Sequence, residues 1–219
     1  MNRSIAMPLG CFAVLVSAFA LAVPAMADET DVKVPDPGFR PESQYAAAFI
    51  DTVDTATIAV YPTLIRRSER TAHAFASQQQ VVAFINEQGI ATAESARKRV
   101  DLGAPRGNSQ WELFQSDLNR IADALQSRLP DAQYHLLLEF VLPESDQRIF
   151  GVHCYVLDQQ GQNAFSFLLN SHHELFVDAK LVAKNSSEEA RAKLMDKATR
   201  VALAALQAQI EQARIPLSE

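Results

Sequence analysis

Cysteine is nearly absent from this chain, with two in 219 residues. Cys11 falls in a segment expected to be removed, so Cys154 is left without an internal partner. A disulfide framework is thereby excluded, and stability outside the cytoplasm must come from a hydrophobic core. Glycine is also scarce, at seven, and no phosphate-cradling glycine loop, dinucleotide fingerprint or Gly-x-Ser-x-Gly elbow occurs. The His-Glu-x-x-His and paired-cysteine spacings of zinc sites are missing too. Basic charge is in deficit, since 20 Lys and Arg stand against 26 Asp and Glu for a formal charge of −6. That balance argues against nucleic acid, whose phosphates reward basic patches, and against an anionic membrane surface. Long apolar runs are lacking as well. The longest, Leu9 to Val23, falls short of the roughly 20 residues that a spanning helix needs and is soon followed by Pro24.

What that run does fit is an export signal. Arg3 supplies a basic start, Leu9 to Val23 the apolar middle, and Ala25-Met26-Ala27 the small residues at −3 and −1. Cleavage is expected before Asp28, and no integral membrane segment is expected in the mature chain. Leu9-Gly10-Cys11 is similar to the end of a lipobox, but the apolar run lies after Cys11 instead of before it, which speaks for simple cleavage. The domain plan that follows is residues 1–27 as signal peptide, 28–42 as an extended linker punctuated by Pro35, Pro37 and Pro41, and 43–219 as a single α/β domain of ordinary size.

Within that domain, hydrophobic periodicity places the elements. Tyr45, Ala46, Phe49, Ile50 and Val53 share one stripe of a short helix. Thr57 to Tyr61 reads as a buried strand stopped by Pro62, after which Arg66, Arg67, Glu69 and Arg70 are expected to be solvated. A helix capped by Ser77 should carry Val81, Val82, Phe84 and Ile85 and end at a left-handed Gly89, and a short strand over Ile90 to Ala93 could follow. Ser109 and Glu112 have capping-box spacing ahead of a helix through Trp111, Phe114, Leu118, Ile121, Leu125 and Leu129. Tyr134 to Leu142, Ile149 to Leu157 and Asn163 to Leu169 read as three strands. Asp158 and Gly161 form the turn between the last two, and the short links imply an antiparallel meander. Phe176 to Val182 reads as a further strand or an irregular return. Ser186 and Glu189 open a long closing helix through Leu194, Val201, Leu206 and Ile210.

The resulting fold class is α/β (α+β): a two-layer domain in which a mixed sheet, with an antiparallel three-stranded meander, packs against helices. Thr57-Ile58-Ala59-Val60-Tyr61-Pro62 before a Ser-initiated helix, and Tyr155-Val156-Leu157-Asp158 with Gly161 later on, resemble the periplasmic α/β domains of the curli-secretion channel family and the amino-terminal domain of the Tol-system propeller protein. The resemblance spans roughly Thr57 to Ile210. It implies an envelope-associated, non-catalytic domain that binds proteins or helps assemble a complex.

Chemistry-bearing residues are few. His135, His153, His172 and His173 could converge from neighbouring strands on a metal, but adjacent His172 and His173 would face opposite ways along a strand, and a polar strand end accounts for them equally. Cys154 beside His153 suggests a thiol and its base, yet strand neighbours cannot easily reach each other. The apolar stripe Val152, Cys154, Val156 favours a buried inert thiol. Arg66 and Arg67 could clamp a carboxylate or phosphate. Asn170, His172 and His173 crowd polar groups at a strand end, and with His153, Arg66 and Arg67 they form the candidate ligand-binding set. No catalytic residue, metal ligand or cofactor is assigned.

The function expected is that of an exported, periplasmic or secreted, non-catalytic binding or envelope-assembly accessory protein, with an envelope protein or a small ligand as partner. The alternative is a metal-dependent or thiol enzyme built on His153, Cys154, Asn170, His172 and His173. Intact mass spectrometry of the exported protein should give a chain beginning at Asp28 without diacylglycerol. A retained residue 1–27 segment or a lipid adduct on Cys11 would overturn the cleavage expectation.

Overall fold

The structure is a computed structural model that describes residues 44–67, 71–103, 110–126, 131–143, 147–170 and 173–214. The expected signal peptide and linker, the Ser109 cap, and Ser171 and His172 lie outside the described residues. Five helices and seven strands occur among those described: α1 Gln44–Thr52, β1 Thr57–Val60, β2 Thr63–Arg66, β3 Thr71–Ala74, α2 Phe75–Glu87, β4 Thr92–Ser95, α3 Gln110–Gln126, β5 Tyr134–Val141, β6 Gly151–Asp158, β7 Asn163–Asn170, α4 Glu174–Ala179 and α5 Glu188–Ala213.

The mixed α/β sheet and its meander are as expected. β6 pairs antiparallel with β5 along its full length and with β7 on its other side. The second hairpin turns on Asp158, whose carboxylate accepts from the amides of Gln160 and Gln162, with Gly161 at φ 76°. Because β6 occupies one edge of β5, β1 and β2 must share the other, and both run parallel to it. β4 then adds parallel to β1 and β3 antiparallel to β2.

Tyr61 and Pro62 are where the first strand changes register. Val60 stands opposite Leu136 and Leu64 opposite Glu139, so three residues of the first strand face two of β5. This is a bulge, and it suits Pro62, which has no N–H to give to a ladder. Since side chains alternate with a period of two, one extra residue inverts every side chain beyond it. Even-numbered Ile58 and Val60 therefore join one core, while even-numbered Leu64 and Arg66 point to the opposite face.

Each face has its own hydrophobic cluster. On the larger, α1 (Phe49), α2 (Val81, Ile85) and α5 (Leu203, Leu206) cover Leu136, Leu138 and Phe140 of β5 and Val152, Cys154 and Val156 of β6. The smaller gathers Phe114, Ile121 and Leu125 of α3 over Leu137, Tyr155 and Leu157. α5 buries Leu194, Ala198, Ala202, Leu206 and Ile210 at four-residue steps, the spacing of one helix face. The amide of Gln78, itself buried on α2, donates to the carbonyls of Val60 and Ala96, tying the helix to the ends of β1 and β4.

Several local expectations shift. Thr63–Arg66 is a strand, so Arg66 lies within the sheet where a solvated side chain was expected. Helix α2 starts at Phe75, so Ser77 is buried inside it and caps nothing, while Gly89 does adopt the left-handed conformation at φ 63°. The short strand is Thr92–Ser95, later than expected, because the Asn86 side chain bonds both backbone groups of Ala93 and sets its start. Ser187, one residue after the expected Ser186, caps α5 by accepting from the amide of Ala190. In place of a strand over Phe176 to Val182, Glu174–Ala179 forms a single helical segment. Lys180 ends it in the left-handed region at φ 46°, and Val182 makes an isolated bridge to Arg148.

Candidate functional site

The inversion at Tyr61 and Pro62 decides the fate of Arg66. An arginine that alternation alone would leave on the other side of the sheet is instead driven under α3, where it is 1% exposed. There its Nη1 lies 2.7 Å from Asp117 Oδ2 of α3, and its Nε 2.5 Å from Glu139 Oε1 of β5. The second oxygen of Glu139 accepts from the Tyr155 hydroxyl at 2.9 Å and sits 2.9 Å from His153 Nδ1. Arg120, on the rim of α3, approaches the other Asp117 oxygen at 3.4 Å. Phe114 stacks on the Tyr155 ring at 4.9 Å and meets His153 edge-on at 5.7 Å, walling the cluster from solvent. Gly151 leaves room for the imidazole, since a methyl there would lie 3.2 Å from His153 Nε2.

Burial and charge act against each other in this cluster. Burial pushes the Glu139 carboxyl up, but the hydrogen bond and charge of His153, the Arg66 guanidinium and the Tyr155 hydroxyl together bring it below the ordinary glutamate value. Asp117 goes the other way. Burial and the neighbouring Glu139 charge raise it above its ordinary value despite Arg66 and Arg120. Burial, followed by the Glu139 and Asp117 charges, raises the Tyr155 phenol well above its usual range. One guanidinium thus bridges two buried carboxylates. Arg66 Nη2 and His153 Nε2 are buried without a hydrogen-bond partner among the described residues, and no residue of the cluster lines any of the three hollows formed by α2, α4, α5 and the return through Val182.

A second polar pair lies on the same face. Tyr61 Oη and His135 Nδ1 are 3.3 Å apart, both side chains buried. Burial lowers the imidazole from 6.5 to about 4 and raises the phenol to about 12, so both are neutral near pH 7.

The expected site residues are thus divided. Arg66 and His153 do come together, but through Glu139 and inside the core. The expectation of a solvated Arg66 is corrected by the one-residue bulge that turns it inward, and Arg67 beside it is half-buried. Cys154 and His153 face opposite sides of the sheet. Cys154 is fully buried in the larger core, where burial pushes its thiol well above the ordinary range. Asn170 ends β7 opposite Gly151. His173 is not on the strand: its amide donates to the Asn170 carbonyl and its own carbonyl receives the amides of Phe176 and Val177 at the start of α4. Partial burial lowers the His173 imidazole. His172 lies outside the described residues. Among the described residues no group of three or more His, Cys, Asp or Glu side chains is placed to hold a metal ion.

Asp117, Glu139, Tyr155 and Arg120 were not singled out from the sequence. Glu139 did carry a signal: it is the one charged side chain in the apolar run from Tyr134 to Val141, and a charge inside a buried strand requires a partner. Protein-family models, characterised proteins and solved structures were compared with the chain, and none matches.

Two expectations follow from the buried groups. Removing one partner of a buried ion pair strands the others, so Arg66→Met should destabilise the fold by about 3–5 kcal/mol in urea unfolding. A loss under about 1 kcal/mol would show that the carboxylates do not depend on it. The second concerns acid. Between pH of about 6.5 and about 4 the unfolded chain protonates His135 and the fold does not, so the stability held by the neutral imidazole is complete above that window and drains as pH falls through it. Glu139, lowered in the fold, adds its own loss below the ordinary glutamate range, whereas the raised Asp117 opposes it by favouring the fold when protonated. Melting of His135→Gln across this window should be flatter than that of the native protein, and an unchanged slope would contradict the assignment.

Proposed function

We propose that this protein is exported and works outside the cytoplasm as a non-catalytic binding module that supports or assembles an envelope complex. The observation that carries the reading is the enclosure of its reactive side chains: His153, Glu139, Asp117 and Cys154 are each fully buried. A general acid, base or nucleophile must come within hydrogen-bond reach of its substrate, and these four are held in cluster contacts or in apolar packing. The surface is left for recognition. The export-signal pattern of residues 1–27 and the resemblance of Thr57 to Ile210 to envelope α/β domains support the location and the class of partner. The thiol-enzyme reading loses its base, because His153 and Cys154 point to opposite faces of β6.

The test is made in intact cells producing the full chain. Photoreactive residues placed at exposed Phe75, Phe150 and Gln160 should cross-link the protein to an envelope protein after export. Cys154→Ala, folded and exported, should give the same cross-link at native yield. Retention in the cytoplasm, or loss of the cross-link in a folded Cys154→Ala protein, would overturn the reading.

A further inference from the structure

The most distinctive surface lies where α4, the return through Val182 and the first turns of α5 meet. Two hollows of about 280 and 470 Å³ adjoin there and share Val182 as a common wall. Their floors are apolar, formed by Ile149, Leu181 and Leu194. Val177 and Val182 stand 53% and 57% exposed at the lip, among the few large apolar side chains so placed. Charge around them is one-sided. Arg148, Lys180, Lys184, Lys193 and Lys197 line the two hollows against a single carboxylate, Glu189, which Lys193 already binds at 2.6 Å. Lys180, Lys184 and Lys197 have no ion-pair partner among the described residues. On a chain with six more acidic than basic side chains, the lining of these two hollows carries an excess of positive charge.

Lys180 adds an independent observation. It terminates α4 at φ 46°, a left-handed position where glycine is the unstrained choice and a side chain with a Cβ is disfavoured. Its side chain lines the hollow beside Val182.

We infer that this groove binds an extended acidic segment of a partner protein, one that alternates carboxylates with small aliphatic side chains. The carboxylates would meet the lysine rim, and the aliphatic groups would enter the two hollows beside Val182. Complementary charge of this kind guides encounter and fixes register, while the apolar seats supply affinity. A flat bilayer could meet the valines at the lip but not the floors of the hollows, which only an inserted side chain can fill. The inference rests on the binding-module reading and names the chemistry of the partner.

The experiment uses protein purified from cells producing the full chain and a fluorescein-labelled ten-residue peptide of alternating Asp and Val, read by anisotropy. Binding should be saturable and weaken as salt rises, and a peptide with Asn in place of Asp should not bind. Lys180→Gly should weaken binding while melting at the native temperature or above, because it relieves the left-handed strain. Combining it with Lys184→Gln and Lys197→Gln should weaken binding about tenfold or more. Absence of binding, equal binding of the Asn peptide, or native affinity in the triple variant would overturn the inference. So would lysine-dependent binding to phosphatidylglycerol vesicles with none to the peptide, an outcome that transfers the groove to lipid. Failure here leaves the envelope cross-links of the previous section standing, and cytoplasmic retention there leaves the peptide measurement unaffected, so the two readings fail separately.

Discussion

A guanidinium removed from water has to be met by anions held in place, and the smaller face of this domain is organised around meeting Arg66. β2 delivers the cation, α3 supplies Asp117, β5 supplies Glu139, and β6 supplies the His153 and Tyr155 groups that hold Glu139 in turn. Four elements are thereby joined through one side chain. An ion pair of this kind adds little net stability over an apolar replacement, but its geometry is demanding, and misplacing any member leaves an unpaired charge in the core. Charge makes packing on this face directional, whereas the larger face is held by apolar side chains alone in its core cluster.

The two faces divide the work of the molecule. Opposite α3, four helices share a broad apolar core of aliphatic and phenyl side chains in which Cys154 is one small residue among many. Beneath α3, aromatic rings and polar groups interlock, with Phe114 against Tyr155 and Tyr61 beside His135. Titratable groups that a shallow reading would assign to chemistry are consumed by this second face. On the proposed reading recognition falls to surface side chains, and around Val182 lysines stand beside exposed apolar groups.

Periodicity in the sequence carried most of the fold. Strands β5, β6 and β7, the Asp158–Gly161 turn, the helix through Phe114 and Leu125 and the long α5 were legible because apolar spacing and turn chemistry agree there. Arg66 was not, because a run of Arg66, Arg67, Glu69 and Arg70 has the composition of solvated surface, and the residues that bury it are 51 and 73 positions away in Asp117 and Glu139. Local pattern holds no record of such distant pairing. The α4 segment was missed for a different reason: Phe176 and Leu175 are buried on a helix too short to show a period. The strand expected to end at Leu169 closes one residue later, at Asn170, and His173 beyond it leads into α4.

Tyr61, Pro62 and Thr63 look like a short connection, the sort of place where homologous proteins gain and lose residues freely. Here a change of one residue would not lengthen or trim a loop. It would rotate β2 by half a pleat, exchange Ile65 for Arg66 beneath α3, and carry a charge into the larger apolar core on the other side. The length of this segment is thereby tied to Arg66, since only this count of residues brings the guanidinium to Asp117 and Glu139.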